Sequence, residues 1–207
     1  MNYFKYLFTL FGFLIHSNGL LAQTVIDRDF RFEEYQKSVD SLRTFNDHKI
    51  TEIGNSLELG AQLALLHYPK LKGNKIKIRY KSNVRYPITA SWSFWNFFKL
   101  RKNHTYILLI KPGTFVDNVS LNKQVGIVGH EMAHFEYYKK HPAIHMIWWG
   151  IKYVTSKRFR FSFERDADRT AIQKGLGYQL LQLSFYITRN EVINLINAND
   201  RIYNQDN

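Results

Sequence analysis

The sequence predicts an α+β domain in which a small sheet packs against several helices. Apolar residues recur at helical spacing in several segments, whereas residues 75–80 and 105–110 have the alternating or continuously apolar pattern of strands. After loss of an N-terminal signal, about 185 of the residues would remain, which is enough for one domain with a real core. No repeat or linker marks a second domain, so residues 23–207 are assigned to a single folding unit.

Residues 1–22 are predicted to form a signal peptide. Lys5 supplies a positive charge, and residues 6–15 form an apolar run of about ten residues, the length of a signal-peptide core and too short to span a bilayer. Cleavage is expected after Ala22, and an uncleaved signal anchor is the alternative. The chain has no cysteine, so it offers neither a lipidation site nor a disulfide. We expect an exported protein, either periplasmic or secreted.

The elements before residue 111 follow from hydrophobic periodicity. Residues 28–68 are predicted to form one or two helices from the spacing of Phe32, Tyr35, Val39, Leu42, Phe45, Ile50, Ile53, Leu57, Ala61 and Ala64. Residues 75–80 alternate between cationic and apolar side chains, which predicts a strand with one solvated face. Residues 84–94 and 105–110 are predicted as further strands. The last is apolar on both faces and is expected to lie centrally or beside the next helix.

Residues 121–140 are predicted to form a helix with Ser120 as its N-cap. This helix contains His130-Glu131-Met132-Ala133-His134, an HExxH pattern. Two histidines four residues apart share one helical face, so both can reach one metal ion. Glu131 lies beside them, where it could take a proton from a water whose pKa zinc lowers to about 7. The pattern favours a zinc-dependent hydrolase. The alternative is a surface helix that carries two unrelated histidines.

A catalytic zinc ion usually has three protein ligands, so a third ligand is needed. The metzincin pattern HExxHxxGxxH is not present, because Tyr137 and Lys140 occupy the positions of its glycine and last histidine. His141 and His145 flank a proline-containing break and are predicted to be surface or packing residues. Glu164, thirty residues after His134, is the better candidate, because a second amphipathic helix is predicted to begin at residues 163–169 and Glu164 and Asp168 share one of its faces at i and i+4.

Two motifs in this order resemble those of the M48-type gluzincin metallopeptidases, which include the CAAX prenyl protease and HtpX-like enzymes. The first is HExxH at residues 130–134, and the second is ExxADR at residues 164–169. The resemblance extends over residues 105–180 and implies a zincin-like fold. Membrane-embedded members have long transmembrane helices, but no internal stretch here reaches the roughly 20 apolar residues that such a span needs. The chain is similar to a minimal, exported member of the family.

The resemblance also implies roles for individual residues. His130, His134 and Glu164 would bind one zinc ion per chain, Glu131 would be the general base, and Asp168 would hold a histidine ligand by its far ring nitrogen. In zincins an edge strand beside the site pairs with extended peptide substrate, a role that one of the predicted strands could take. The residue that stabilises the developing charge is not identified. The candidates are Arg165, Arg169 and Tyr178, and a structural role is favoured for each.

The expected function is hydrolysis of peptide bonds outside the cytoplasm by a zinc metalloendopeptidase. The alternative is a catalytically inactive zincin-fold protein that binds the cell envelope or anionic surfaces. A formal net charge of +12 favours attraction to such surfaces, including lipid headgroups. Nucleic acid is not an expected partner, because no recognisable binding motif is present and export removes the usual targets. The oligomeric state is not predicted.

Two aromatic segments leave alternatives open. Residues 91–102 and 145–151 are rich in aromatic rings, and cations follow both. They could line a substrate cleft, enter a membrane interface, or fold onto the core. Further along, residues 174–177 are predicted to stop a helix and residues 178–188 and 191–196 to form closing helices. The tail from Asn197 is expected to fray.

Overall fold

The α+β class is confirmed by a four-stranded sheet packed against helices. A computed structural model describes residues 30, 35, 39–45, 50–51, 56–181 and 188–205. The predicted signal peptide at residues 1–22 lies outside them. Within these ranges, no helix is long and apolar enough to cross a membrane.

The sheet consists of β1 (Ile50–Thr51), β2 (Lys75–Tyr80), β3 (Ile88–Trp92) and β4 (Thr105–Ile110) in the order β1-β2-β4-β3. β2 is parallel to both β1 and β4, whereas β3 is antiparallel to β4. β2 and β4 have the predicted bounds, and β4 occupies the predicted central position. β3 is shorter than predicted, because a 3-10 helix (Phe94–Phe98) follows it. The helical assignment of Ile50 is wrong, because its backbone pairs with Ile76.

Seven α-helices occur in the described residues: α1 (Val39–Phe45), α2 (Ser56–Leu66), α3 (Leu121–Lys140), α4 (Ala143–Thr155), α5 (Lys157–Ala171), α6 (Gly177–Leu181) and α7 (Arg189–Gln205). α3 has the predicted bounds, and the Ser120 hydroxyl caps it by accepting from the Lys123 amide at 3.5 Å. The core cluster joins apolar residues of α2, β2, β4 and α3. α3 therefore runs through the centre of the molecule.

Close backbone packing holds α3 in this position. The hydroxyl of Tyr68 donates to the Gly129 carbonyl oxygen at 2.7 Å. A Cβ atom at Gly126 would lie 2.8 Å from the Gln179 carbonyl oxygen, so only glycine fits where α6 crosses α3. The small residues ahead of the HExxH pattern thus allow two helices to approach closely. This contact fixes the central part of α3.

Several boundaries differ from the predictions. α4 was not predicted, and α5 begins at Lys157 rather than near residue 163 because Ser156 caps it through the Phe159 amide. The predicted helix stop is confirmed at Gly175, where a positive φ of 89° kinks the chain inside the π-helix Ile172–Leu176 that joins α5 to α6. α6 accounts for the first part of the predicted helix 178–188, and residues 182–187 lie outside the described ranges. The prediction that the tail frays from Asn197 is wrong for the backbone, because α7 continues to Gln205.

Candidate metal centre

α3 and α5 bring His130, His134 and Glu164 together. One ligand atom from each residue lies within 4.8 Å of the other two, and all three residues are buried. The Glu164 Oε2 atom lies 3.0 Å from His130 Nε2 and 3.2 Å from His134 Nε2. Two imidazole nitrogens and one carboxylate oxygen form a common ligand set for a catalytic zinc ion. The group could hold a metal ion, and its geometry alone does not fix which metal.

Asp168 lies one turn after Glu164 on α5 and contacts the far side of the His130 ring. Its Oδ1 atom accepts a hydrogen bond from His130 Nδ1 at 2.7 Å, and the residue is only 2% exposed. With the Nδ1 proton held in this way, Nε2 is the ring nitrogen that would bind a metal ion in place of its proton. The sequence-predicted role of Asp168 as the residue that orients a histidine ligand therefore has a matching contact.

Aromatic residues fix the other two members of the group. The ring of His134 stacks on Phe163, with centroids 4.7 Å apart and planes 19° apart. The hydroxyl of Tyr153, on α4, donates to Glu164 Oε1. Glu164 thus keeps Oε2 toward the histidines while its other oxygen is held. The sequence does not reveal this role of Tyr153, because α4 is not predicted and no motif spacing connects the residue with Glu164.

The electrostatics of the group favour a cation. Glu131, Glu164 and Asp168 are buried beside the two imidazoles, so up to three negative charges share a dry site. Burial alone would lower the pKa of His130, but its hydrogen bonds to Asp168 and Glu164 raise that pKa to about 10. Burial would raise the pKa of Glu164, yet the hydrogen bonds from both histidines hold it well below its usual range. A divalent cation would compensate the same carboxylates, so these residues fit a metal.

Glu131 lies between the ligand group and the sheet. Its Oε2 atom accepts a hydrogen bond from the Ala90 amide of β3 at 2.5 Å. Burial raises the pKa of Glu131 above its ordinary value, although the nearby histidines act in the opposite direction. A carboxylate with a raised pKa thus lies beside the group that could hold a metal ion.

β3 borders the site with an unpaired edge. It is the last strand of the sheet formed by the described residues, and its neighbour β4 lies on its other side. The backbone amide of Lys111 donates to the Pro87 carbonyl oxygen, and the backbone amide of Ser93 donates to the Thr105 carbonyl oxygen. The backbone N–H and C=O groups of the odd-numbered residues of β3 therefore point toward β4. Backbone groups of Ile88, Ala90 and Trp92 therefore face away from β4, and the Ala90 amide meets Glu131.

A cleft of about 380 Å³ connects β3 with Glu131 and the ligand group. Residues 86–92, which include β3, line one side, and α4 and α5 line the other. The ligand group and Glu131 also line this cleft, together with several aromatic rings: Trp92, Phe115, Tyr138, Trp149, Tyr153, Phe159 and Phe163. An extended, partly apolar chain could reach Glu131 and the ligand group along this cleft.

The other sequence candidates lie outside the ligand group. Arg165 and Arg169 both donate to Glu191 on α7, at 2.6 and 3.0 Å. The ring of His141 packs at 4.6 Å from that of Trp149, and His145 is exposed beside them. These contacts match the structural and packing roles that the sequence favoured for the four residues. Tyr178 packs against the hydrophobic core.

Comparisons with protein-family models, with curated proteins and with solved structures found no match. The account of the site therefore rests on the ligand distances, the contact between Asp168 and His130, and the position of Glu131 beside β3. These features depend on the packing of α3 against two different elements, because α5 supplies Glu164 and Asp168 and β3 supplies the Ala90 amide.

Proposed function

We propose that the protein is a zinc-dependent peptidase of the M48-type gluzincin class with a zincin-like fold. The observation that carries the proposal is the buried group of His130, His134 and Glu164, with Glu131 and Asp168 placed around it. The predicted signal peptide supports action outside the cytoplasm, in the periplasm or after secretion.

The peptide substrate would lie along β3. The outward backbone groups of Ile88 and Trp92 and the Ala90 carbonyl oxygen offer donors and acceptors for an added strand, the β-augmentation mode of peptide binding, while the Ala90 amide donates to Glu131. Aromatic residues of the cleft would contact alternate side chains of such a strand. The scissile bond would then pass close to Glu131, because this residue already contacts β3 at Ala90.

His130, His134 and Glu164 would hold the zinc ion, and Asp168 and Tyr153 would keep two of these ligands in orientation. When bound, zinc would supply Lewis-acid chemistry, lowering the pKa of water and polarising the scissile carbonyl group. Glu131 would accept the proton of the attacking water and deliver it to the leaving amine. Its hydrogen bond with the Ala90 amide would hold the carboxylate beside the substrate strand.

Replacement of Glu131 by Gln tests this function. The amide keeps the size of the side chain but cannot accept a proton, so the zinc content should stay at the wild-type level while turnover falls by roughly 10²- to 10⁴-fold. The assay is cleavage of fluorescently labelled casein and of a mixed peptide library by zinc-loaded protein. Asp166→Asn, an exposed change on α5, is the matched control and should retain activity.

The Glu131→Gln result also separates peptidase activity from the alternative, a binding protein that keeps the fold and the metal. Such a protein does not require a general base, so its binding would be unaffected by the substitution. Wild-type cleavage by the Gln variant would contradict the role of Glu131 in the proposed mechanism.

A further inference from the structure

α4 presents an apolar stripe to solvent. Ile144, Ile147, Trp148, Ile151 and Val154 recur every three or four residues, so they share one face of the helix. Their exposed fractions lie between 48% and 77%, whereas Met146 on another face is buried. An amphipathic helix normally turns such a stripe toward the core. The stripe of α4 is therefore available to a partner.

A second exposed apolar segment lies beside the first. In the 3-10 helix, Phe94 and Trp95 are each 66% exposed and Phe98 is 76% exposed, and the following Leu100 is 67% exposed. This 3-10 helix contacts α4, so the two segments form one continuous area. We call this area, made of Ile144, Ile147, Trp148, Ile151, Val154, Phe94, Trp95, Phe98 and Leu100, the aromatic surface. Contiguous exposed apolar patches of this kind mark interaction sites.

The two segments that contribute the aromatic surface carry charges of a single sign. Residues 81–116 and 141–163 contain no Asp or Glu. The exposed cations in these segments are Lys81, Arg85, Lys99, Arg101, Lys102, Lys152, Lys157 and Arg158. The ammonium group of Lys152 lies 5.3 Å from the centre of the Trp148 ring, so at least one cation directly borders the apolar side chains. The surface thus combines aromatic rings with a cationic margin.

We propose that the aromatic surface docks on the headgroup region of an anionic lipid bilayer. Trp, Phe and Ile side chains would enter the interface while the surrounding lysines and arginines bind anionic headgroups. The uniform positive charge disfavours a second copy of the chain as the partner, because a symmetric dimer would bring the same cations together. Charge complementarity therefore favours lipid over self-association.

Docking in this orientation would hold the cleft at the membrane. Trp149, Gly150, Tyr153 and Val154 of α4 line the cleft, and Val154 also belongs to the exposed stripe. The cleft therefore adjoins the surface that would face lipid. The substrates would then be peptide segments close to a membrane surface, an inference that rests on the proposed peptidase function.

Vesicle binding with tryptophan fluorescence tests the docking itself. All four tryptophans lie in the two aromatic segments, at positions 92, 95, 148 and 149, so their emission reports directly on this part of the molecule. The mature protein, residues 23–207, would be mixed with phosphatidylcholine vesicles that contain phosphatidylglycerol, and with phosphatidylcholine vesicles alone. We expect co-sedimentation, a blue shift and quenching by brominated lipid with the anionic vesicles, and a loss of binding at high salt.

Two pairs of variants make the test specific. The double substitutions Trp95→Ser with Phe98→Ser, and Lys99→Glu with Lys102→Glu, should each weaken vesicle binding by about tenfold or more. The matched controls are Ile193→Ser on α7 and Lys75→Glu with Arg79→Glu on β2, which should bind as wild type. Glu131→Gln should also bind vesicles normally, so failure of docking and failure of the peptidase proposal are distinguishable.

Three outcomes would overturn the docking proposal. The first is wild-type protein that does not bind anionic vesicles at low salt. The second is equal loss of binding in the surface variants and in their controls. The third is a concentration-dependent dimer that the Trp95→Ser, Phe98→Ser variant dissociates, because the aromatic surface would then be a protein interface.

Discussion

Replacement of Asp168 by Asn tests how the metal site is oriented. The carboxylate of Asp168 is 2% exposed and accepts from His130 Nδ1 at 2.7 Å, so it fixes the tautomer of this ligand. Asparagine has nearly the same shape and can still accept a hydrogen bond, but it lacks the negative charge. Loss of such a partner weakens metal affinity by roughly 10- to 100-fold. This change corresponds to about 1.4–2.7 kcal/mol of binding free energy.

The assay is competition for zinc between the protein and a chromophoric chelator at neutral pH. Asp166→Asn is the matched control, because this residue lies two positions earlier on the same helix and is exposed. Urea unfolding of both variants in the presence of a chelator checks that the metal-free fold persists. A zinc affinity of the Asp168→Asn variant within twofold of wild type, in folded protein, would refute the role of this carboxylate.

Four further substitutions test the site and the fold. Tyr153→Phe should weaken zinc binding measurably without loss of folding, because it frees one Glu164 oxygen; unchanged affinity would contradict this. Gly126→Ala should lower the free energy of unfolding by about 1–3 kcal/mol through overpacking. Gly150→Ala, with open space around the added Cβ, should raise it by roughly 0.5–1 kcal/mol. Urea denaturation measures both changes, and equal effects would refute the packing argument. Burial lowers the pKa of His67 below 6.5 in the folded protein. As the pH falls through 6.5, protonation of this residue in the unfolded chain should therefore reduce the free energy of unfolding, by at most about 1.4 kcal/mol per pH unit. His67→Gln should flatten the pH dependence of the unfolding free energy, and parallel curves for the two proteins would exclude this contribution.

The sequence predicts those elements whose signals are local. β2 alternates strictly, β4 is apolar throughout, and α3 has both a cap at Ser120 and a sustained helical segment, so all three have the predicted bounds. Ile50 was misassigned because its strand is two residues long and exists only through pairing with β2. α4 is not among the predicted helices, because a proline precedes it and the aromatic run at residues 145–151 is compatible with a substrate cleft, a membrane interface or the core.

In the candidate site, too, the sequence predicts some residues and contacts but not others. HExxH spacing places His130 and His134 on one helical face, and the later motif contributes Glu164 and Asp168, which the fold brings within hydrogen-bonding distance of the histidines. The contacts of Tyr153 with Glu164 and of Ala90 with Glu131 depend on how α4 and β3 pack, and no sequence spacing encodes them.

The most direct test of the account is the metal content of purified wild-type protein and of the His134→Ala and Glu164→Ala variants, measured by elemental analysis. The account predicts close to one zinc ion per wild-type chain, lost or strongly reduced in both variants and retained in the His145→Ala control, whose histidine lies outside the ligand group. Folding of each variant would be checked by circular dichroism. Wild-type protein that contains no zinc and does not bind added zinc would contradict the account.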